Sequence, residues 1–347
     1  MSTSGTRRGV TRCLLAAVLF GVSAPAASRL AHDLGAFGLA GLLYLGAALA
    51  TAPITIRTPP TGAALRRGGR RLAIAVVLGG AVGPVLLAAG LRRTSAGSAS
   101  LLLNLELVFT TLVAGLLLRE HIGRRLAAGT ALVALAGGVL AWSPGDVSVR
   151  WGALLVAGAC LAWAFDNTAT AALDELLPAH ITFVKGVLAG GCNLLLGMAL
   201  GEQFGTRTVL WALVIGAFGY GASITLWVSG ARDLGAARGQ LVFATAPFIG
   251  AIVAWTIFGE AASWREVIAL GVAAAGVSVV NRTGHEHVHR HTAVEHEHEH
   301  VHDDEHHDHT HADGFTGRHS HRHQHGDLVH AHTHVPDLHH RHDHDAD

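Results

Sequence analysis

Few side chains in this sequence could do chemistry, and most of them are carboxylates or imidazoles. Glu106 lies two residues after Asn104 in a stretch otherwise built from Leu, Val and Phe. A carboxyl group in such surroundings is a candidate proton carrier; the alternative is a buried acid tied to a nearby hydroxyl or amide. Asp166 and Asn167 fall in WAFDNT (163–168), and Lys185 follows His180 in the next apolar run. Asp166 and Lys185 either form an ion pair that lowers the cost of both, or Lys185 reaches outward and Asp166 faces a vestibule. Asp166, Asn167 and His180 are also of metal-ligating type, though nothing in the spacing fixes their geometry. Trp163, Trp227, Gln240 and Pro247 are candidates to line a cavity in the same apolar body, with Trp255 beside them. No nucleophile with a positioned base and no G-x-x-x-x-G-K-[ST] loop is present, so the chain does not read as an enzyme.

A second chemistry is crowded into the last 63 residues (285–347), which hold 23 His and 14 Asp or Glu in repeated H-x-H units. The first of these are His285, His287, His289 and His291, then His296, His298, His300 and His302, then His306, His307, His309 and His311. Neutral imidazole is an ordinary ligand for Zn, Ni, Co and Cu, and interleaved carboxylates attract cations. The irregular spacing points to several exchanging sites rather than one structural zinc site. Without apolar periodicity, residues 284–347 are expected to be disordered. A pH-responsive or solvating tail is the plainer alternative, since imidazole titrates near pH 6.5. The chain requires no cofactor; divalent metal on the tail is the one ligand its composition suggests.

The elements that must position Glu106, Asp166 and Lys185 follow from composition. Half of the 347 residues are hydrophobic, 43 are Gly and only 14% are charged. Runs long enough to cross about 30 Å of hydrocarbon fall at 13–31, 35–56, 72–91, 97–118, 126–142, 151–171, 180–201, 208–230, 236–258 and 264–281. Short loops make neighbouring helices antiparallel, giving an all-α membrane protein with the lipid bilayer as its first partner. Net charge is zero and lysine is nearly absent, so nothing tracks phosphates and no nucleic acid is expected. Cys13, Cys160 and Cys192 lie in apolar runs without a C-x-x-C and read as packing residues. Gly186-x-x-x-Gly190 and Gly197-x-x-x-Gly201 let backbones approach; they are read as internal packing, with a homodimer left open.

Arginines set the orientation. One side receives Arg7, Arg8, Arg12, Arg57, Arg66, Arg67, Arg70, Arg71, Arg119, Arg124, Arg125, Arg232, Arg238 and Arg282, the other Arg29, Arg92, Arg93, Arg150, Arg207 and Arg265. The first side is therefore cytoplasmic, with both termini inside the cell's inner (plasma) membrane. Trp142, Trp151, Trp211 and Trp264 form an aromatic belt outside. Ala24-Pro25-Ala26 mimics a leader-peptide site, but cleavage there would destroy the repeat that follows.

Shifting the chain by about 140 residues places Glu120 on Glu260, Arg125 on Arg265 and Leu14-Leu15 on Leu154-Leu155. Five spans per copy is odd, so the copies are inverted, and such repeats hold solutes between them near the midplane. Glu120 and Glu260, at helix junctions, are read as acids stabilised by the dipole of the helix that follows each. The stretch TSAGSASLLLNLELVF (94–109) with Leu118-Arg119-Glu120, and its counterpart Ala244-Thr245-Ala246-Pro247-Phe248 with Gly259-Glu260, resembles an EamA-type transporter of the drug/metabolite transporter superfamily. Leu107 departs from that pattern, which has proline there, and puts a helix break in the first copy in doubt. The resemblance covers about 13–281. It implies a ten-helix secondary carrier made of repeats 1–142 and 143–283, followed by the 284–347 tail. It implies export of a small-molecule solute such as an organic metabolite or amino acid, with Glu106, Asn104, Asp166, Asn167 and Lys185 as transport or coupling residues. The rivals are a divalent-metal transporter and a membrane-anchored metal store or sensor.

Overall fold

The computed structural model describes residues 3–117, 123–142, 147–170, 173, 175–234, 242–281, 285–291, 295–300, 319–324 and 328–334. It divides into two units, 1–283 and 284–347. In the first unit, eight helical stretches of the described residues are long and apolar enough to cross a membrane: Arg7–Leu30, Ala36–Arg57, Gly69–Leu91, Ala96–Val113, Arg124–Ala141, Val147–Thr170, Pro178–Ala199 and Thr206–Gly230. They coincide with the first eight apolar runs of the sequence. The region of the ninth run holds the shorter helix Ala246–Thr256, and the last run folds as the helix Trp264–Asn281. Residues 235–241, with Gln240 and Arg238, lie outside the described residues, as does Glu120.

We number the helices that position the site. They are α1 (Thr3–Leu30), α2 (Ala36–Arg57), α3 (Gly83–Leu91), α4 (Ala96–Leu102), α5 (Leu105–Leu117), α6 (Val147–Thr170), α7 (Pro178–Lys185), α8 (Ser223–Leu234), α9 (Ala246–Thr256) and α10 (Trp264–Asn281). The helix of α1 runs on through Pro25 and packs against α8 and α9. Small residues bring α2 against the seventh span: a Cβ on Gly186 would stand 2.5 Å from the Tyr44 carbonyl, and one on Gly190 3.0 Å from that of Gly41. The G-x-x-x-G spacing at these two positions thus packs within the chain, where lipid offers no hydrophobic drive between helices. The four belt tryptophans are exposed, and antiparallel alternation puts them at one end of the bundle, called the tryptophan end below.

Two departures from regular helix recur at corresponding places in the two halves. Ala75–Val82 and Ala217–Ala222 are both π-helical. Such segments leave carbonyls free of their usual ladder partner. The fourth span breaks at Leu103–Asn104, and the region of the ninth apolar run breaks at Ala244–Thr245, about 140 residues on. Both breaks tighten into three-residue hydrogen bonds, Asn104 N to Leu101 O at 3.2 Å and Thr245 N to Val242 O at 3.2 Å. In both, a side chain takes a carbonyl three residues back: Asn104 Nδ2 donates to Leu101 O at 3.0 Å and Thr245 Oγ1 to Val242 O at 2.7 Å. The first copy therefore breaks without the proline that Leu107 replaces. The polar side chain at the break, rather than a ring, satisfies the freed backbone.

In the second unit the described backbone forms four strands, β1 (His285–His291), β2 (Glu295–His300), β3 (His319–Gln324) and β4 (Leu328–His334). The antiparallel pairs are β1 with β4 and β2 with β3. These strands fall on H-x-H units of the sequence; the rest of 284–347 lies outside the described residues. The H-x-H alternation has the period of a strand, and the register sets His opposite His at 285–334, 287–332, 289–330, 296–323, 298–321 and 300–319. His302, His306, His307, His309 and His311 lie outside the described residues.

Candidate functional site

Glu106 lies in the first turn of the second half of the broken fourth span, two residues beyond Asn104. Its partner comes from the other half of the chain: Asn167 Nδ2 donates to Glu106 Oε1 at 2.6 Å. Glu106 is half-buried and Asn167 is exposed, so this pair is the open side of the site. An amide suits a carboxyl group that changes protonation. Its N–H donates to the ionised form, and its carbonyl can accept from the protonated one after the amide turns.

One residue before Asn167, Asp166 faces inward and is 4% exposed. It forms an ion pair with Lys185 across α6 and α7, so the pairing alternative holds and Lys185 does not reach outward. The pocket for this carboxylate exists because residue 79 is glycine: a Cβ there would stand 2.0 Å from Asp166 Oδ2. Gly79 lies within the π-helical segment, and its carbonyl accepts from Tyr44 Oη at 2.6 Å and from Trp163 Nε1 at 3.1 Å. Asp166 Oδ1 is buried without a hydrogen-bond partner. The expected set Asn104, Glu106, Asp166, Asn167, Lys185 and Trp163 is thus gathered around two polar pairs. Both lie along α6, and Tyr44 and Gly79 complete the group. Sequence reading passed over these two, because a tyrosine and a glycine in an apolar run have many uses.

From Tyr44 a chain of rings crosses to the second half: Tyr44–Tyr220 at 5.7 Å, Tyr220–Phe20 at 5.8 Å, Phe20–Phe243 at 5.4 Å and Phe243–Trp227 at 5.7 Å between centroids. Trp227 therefore belongs to an aromatic wall, and its Nε1 is buried without a partner. Pro247 occupies the first turn of α9, where its missing N–H costs nothing. His180 is engaged elsewhere, its ring against the Thr58 carbonyl and the Leu177 N–H, which separates it from Asp166. Among the described residues, no three His, Cys, Asp or Glu side chains are grouped to hold a metal. A pocket of about 550 Å³ lined by Thr206, Arg207, Leu210, Trp211 and Val214 lies away from this cluster.

Acids at the tryptophan end behave differently from the sequence expectation. Glu260 does not cap the helix after it. Its two oxygens accept from Ala96 N at 3.1 Å and Gly97 N at 3.0 Å, at the start of α4 in the other half. The following helix, α10, is capped by Ser263 and Glu266: Ser263 N donates to Glu266 Oε2 at 2.8 Å, and Glu266 N to Ser263 Oγ at 3.2 Å. The S-x-x-E signature of this capping box was legible at 263–266. Glu202, also missed, accepts from Phe37 N at 3.3 Å and Gly38 N at 2.6 Å at the start of α2.

Two halves with matched π segments and matched helix breaks, and a polar cluster where they meet, define a helical membrane protein of the two-repeat carrier class. The comparisons agree. The EamA-like transporter family matches residues 7–141 and 150–282, and the chain belongs to that family. An uncharacterized transporter of Methanothermobacter thermautotrophicus is 29% identical over 224 residues, 61% of this chain and 64% of that protein. The chain thus matches a little under two thirds of the length of this relative. A solved crystal structure with 18% identity has a TM-score of 0.56, covering 80% of this chain and 96% of its own, which is a likeness of fold.

Proposed function

We propose that this protein is a gradient-driven carrier that exports small organic metabolites or amino acids, with Glu106 taking up and releasing the coupling proton. It sits in the inner (plasma) membrane as ten spans in two inverted repeats, 1–142 and 143–283, with both termini cytoplasmic. The observation that carries this reading is the Asn167–Glu106 hydrogen bond, which joins the two repeats at a helix break. An ionised carboxylate in mid-membrane is costly, about 2.5–3.5 kcal/mol on insertion scales. Asp166 is neutralised by Lys185, whereas Glu106 has an amide partner and an open side, so it is the acid free to exchange a proton. Rocking of one repeat against the other alters the Asn167–Glu106 contact and so ties protonation to the direction of access. Asn104 holds the break open at Leu101, and Trp163, Trp227 and the ring chain form the wall a solute passes.

The histidine tail, 284–347, is proposed to bind Zn, Ni, Co or Cu as an accessory to transport rather than as part of the path. The alternation of His in four strands supports this, since it sets six His–His pairs across the two ladders. Purified full chain in liposomes, loaded with candidate amino acids and metabolites, tests the central claim. Glu106→Gln should abolish flux driven by a pH gradient while the protein stays folded in the membrane. Unchanged flux in that variant would reduce Glu106 to a structural acid.

A further inference from the structure

The second half closes two helix breaks in its loops the same way. Gly201 and Gly259 end their helices at φ of 77° and 69°, a conformation open to glycine, and each is followed by a glutamate. Each glutamate then reaches across to the first half and accepts from two successive backbone N–H groups at a helix start: Glu202 on α2 and Glu260 on α4. The two clamped helices differ. Ala36–Arg57 is unbroken. Ala96–Leu102 is only half a span, ending at the Leu103–Asn104 break directly before Glu106.

Half-helix α4 is held by more than Glu260. Buried Glu266 accepts on Oε1 from Ser95 Oγ at 2.6 Å and Ser98 Oγ at 2.8 Å, while Oε2 takes Ser263 N and Oγ. One carboxylate thereby joins the first turns of α4 and α10, which belong to opposite halves. Arg29, from the end of α1, donates to the Phe258 carbonyl and lies over the Phe258 ring at 5.3 Å, steadying the loop that carries Glu260. A pocket of about 270 Å³ lined by Ser98, Leu140, Val149, Ser263, Trp264 and Arg265 opens beside this junction. Water entering there can replace each of these hydrogen bonds, so the junction can part without leaving a buried polar group unmatched.

We propose that Glu260 and Glu266 are the latch of a gate at the tryptophan end: they hold α4 shut against the second half, and α4 swings on the Leu103–Asn104 break when they let go. Because that hinge adjoins Glu106, opening of this end and the state of the coupling acid are mechanically joined. Glu202, by contrast, fastens a continuous helix and serves as a static tie. This inference rests on the carrier reading, but its test reads access rather than flux. Ser100 is 1% exposed, one turn inside the latch, with Gly250 packed against it.

In full-length protein carrying Cys192→Ser and Ser100→Cys, maleimide labelling in open membrane fragments reports whether this end parts. Cys13 and Cys160 are buried, and the Cys192→Ser parent supplies their background. Labelling should be low with Glu260 present. It should rise roughly tenfold in Glu260→Gln, the weight of one charge-assisted hydrogen bond, and stay low in Glu202→Gln. Ser98→Ala, which removes one bond to Glu266, should give a smaller rise and serves if Glu260→Gln does not accumulate. Equal labelling with and without these changes, or an equal rise in Glu202→Gln, overturns the latch. Absence of solute flux with the labelling pattern intact would instead count against the carrier reading alone.

Discussion

Gly79 is the position at which one added methyl group tests the largest part of this site. In Gly79→Ala the new Cβ would lie 2.0 Å from Asp166 Oδ2 and 2.2 Å from Asp166 Cγ, where ordinary contact begins at 3.4 Å. Asp166 cannot step aside freely, because Lys185 holds the same oxygen. Two outcomes bracket the cost. If the helices shift to make room, overpacking costs about 1–3 kcal/mol. If the carboxylate is pushed off Lys185, a broken buried pair costs about 3–5 kcal/mol. Alanine returns about 1 kcal/mol of helix propensity in either case. The hydrogen bonds from Tyr44 and Trp163 go to the Gly79 carbonyl, which the methyl group does not replace. Gly79→Ala should therefore destabilise by about 0–2 kcal/mol if the helices shift and by about 2–4 kcal/mol if the ion pair breaks, in the native background. In Asp166→Ala/Lys185→Met, where the clash is gone, it should be neutral or stabilise by up to about 1 kcal/mol. Equilibrium unfolding in mixed micelles, run as a double-mutant cycle, measures the difference. A coupling below about 0.5 kcal/mol would refute the idea that Gly79 exists to seat the Asp166 carboxylate.

Three further outcomes follow from the same structure. Asn104→Ala and Thr245→Ala each remove the side-chain bond that satisfies a broken span, and each should cost about 0.5–1.5 kcal/mol in the same unfolding assay; a neutral result in both would mean the breaks need no side-chain support. Reporter fusions should read cytoplasmic in the 57–71 loop and after Asn281, and external after Trp142; an external reading after Asn281 sinks the two-repeat orientation. Full chain should bind several Zn or Ni ions at pH 7.5 that a chain ending at Asn281 does not. Protons compete for imidazole, so the tail's binding is present above pH 6.5 and is lost as pH falls through it. Calorimetry showing equal binding by both chains would remove the metal from the tail.

The sequence by itself determined the apolar runs, their antiparallel succession and the two copies, because crossing hydrocarbon demands about 20 apolar residues whatever the tertiary arrangement. It also brought Asp166 near Lys185, since consecutive antiparallel helices place residues equally far from their shared loop at equal depth. It did not reveal the break at Leu103–Asn104, where the signal looked for was a proline and the working device is an asparagine side chain. Nor could it say that Asn167 meets Glu106, that Gly79 makes room for Asp166, or that Glu202 and Glu260 cap helices of the opposite repeat. In the tail, absence of an apolar core argues for disorder, while the local H-x-H units carry the period of a strand. Hydropathy and spacing report the local cost of putting a residue in lipid. Which partner a buried polar group finds is decided by helices 60 to 170 residues apart in sequence packing side by side, and only the folded bundle sets those distances.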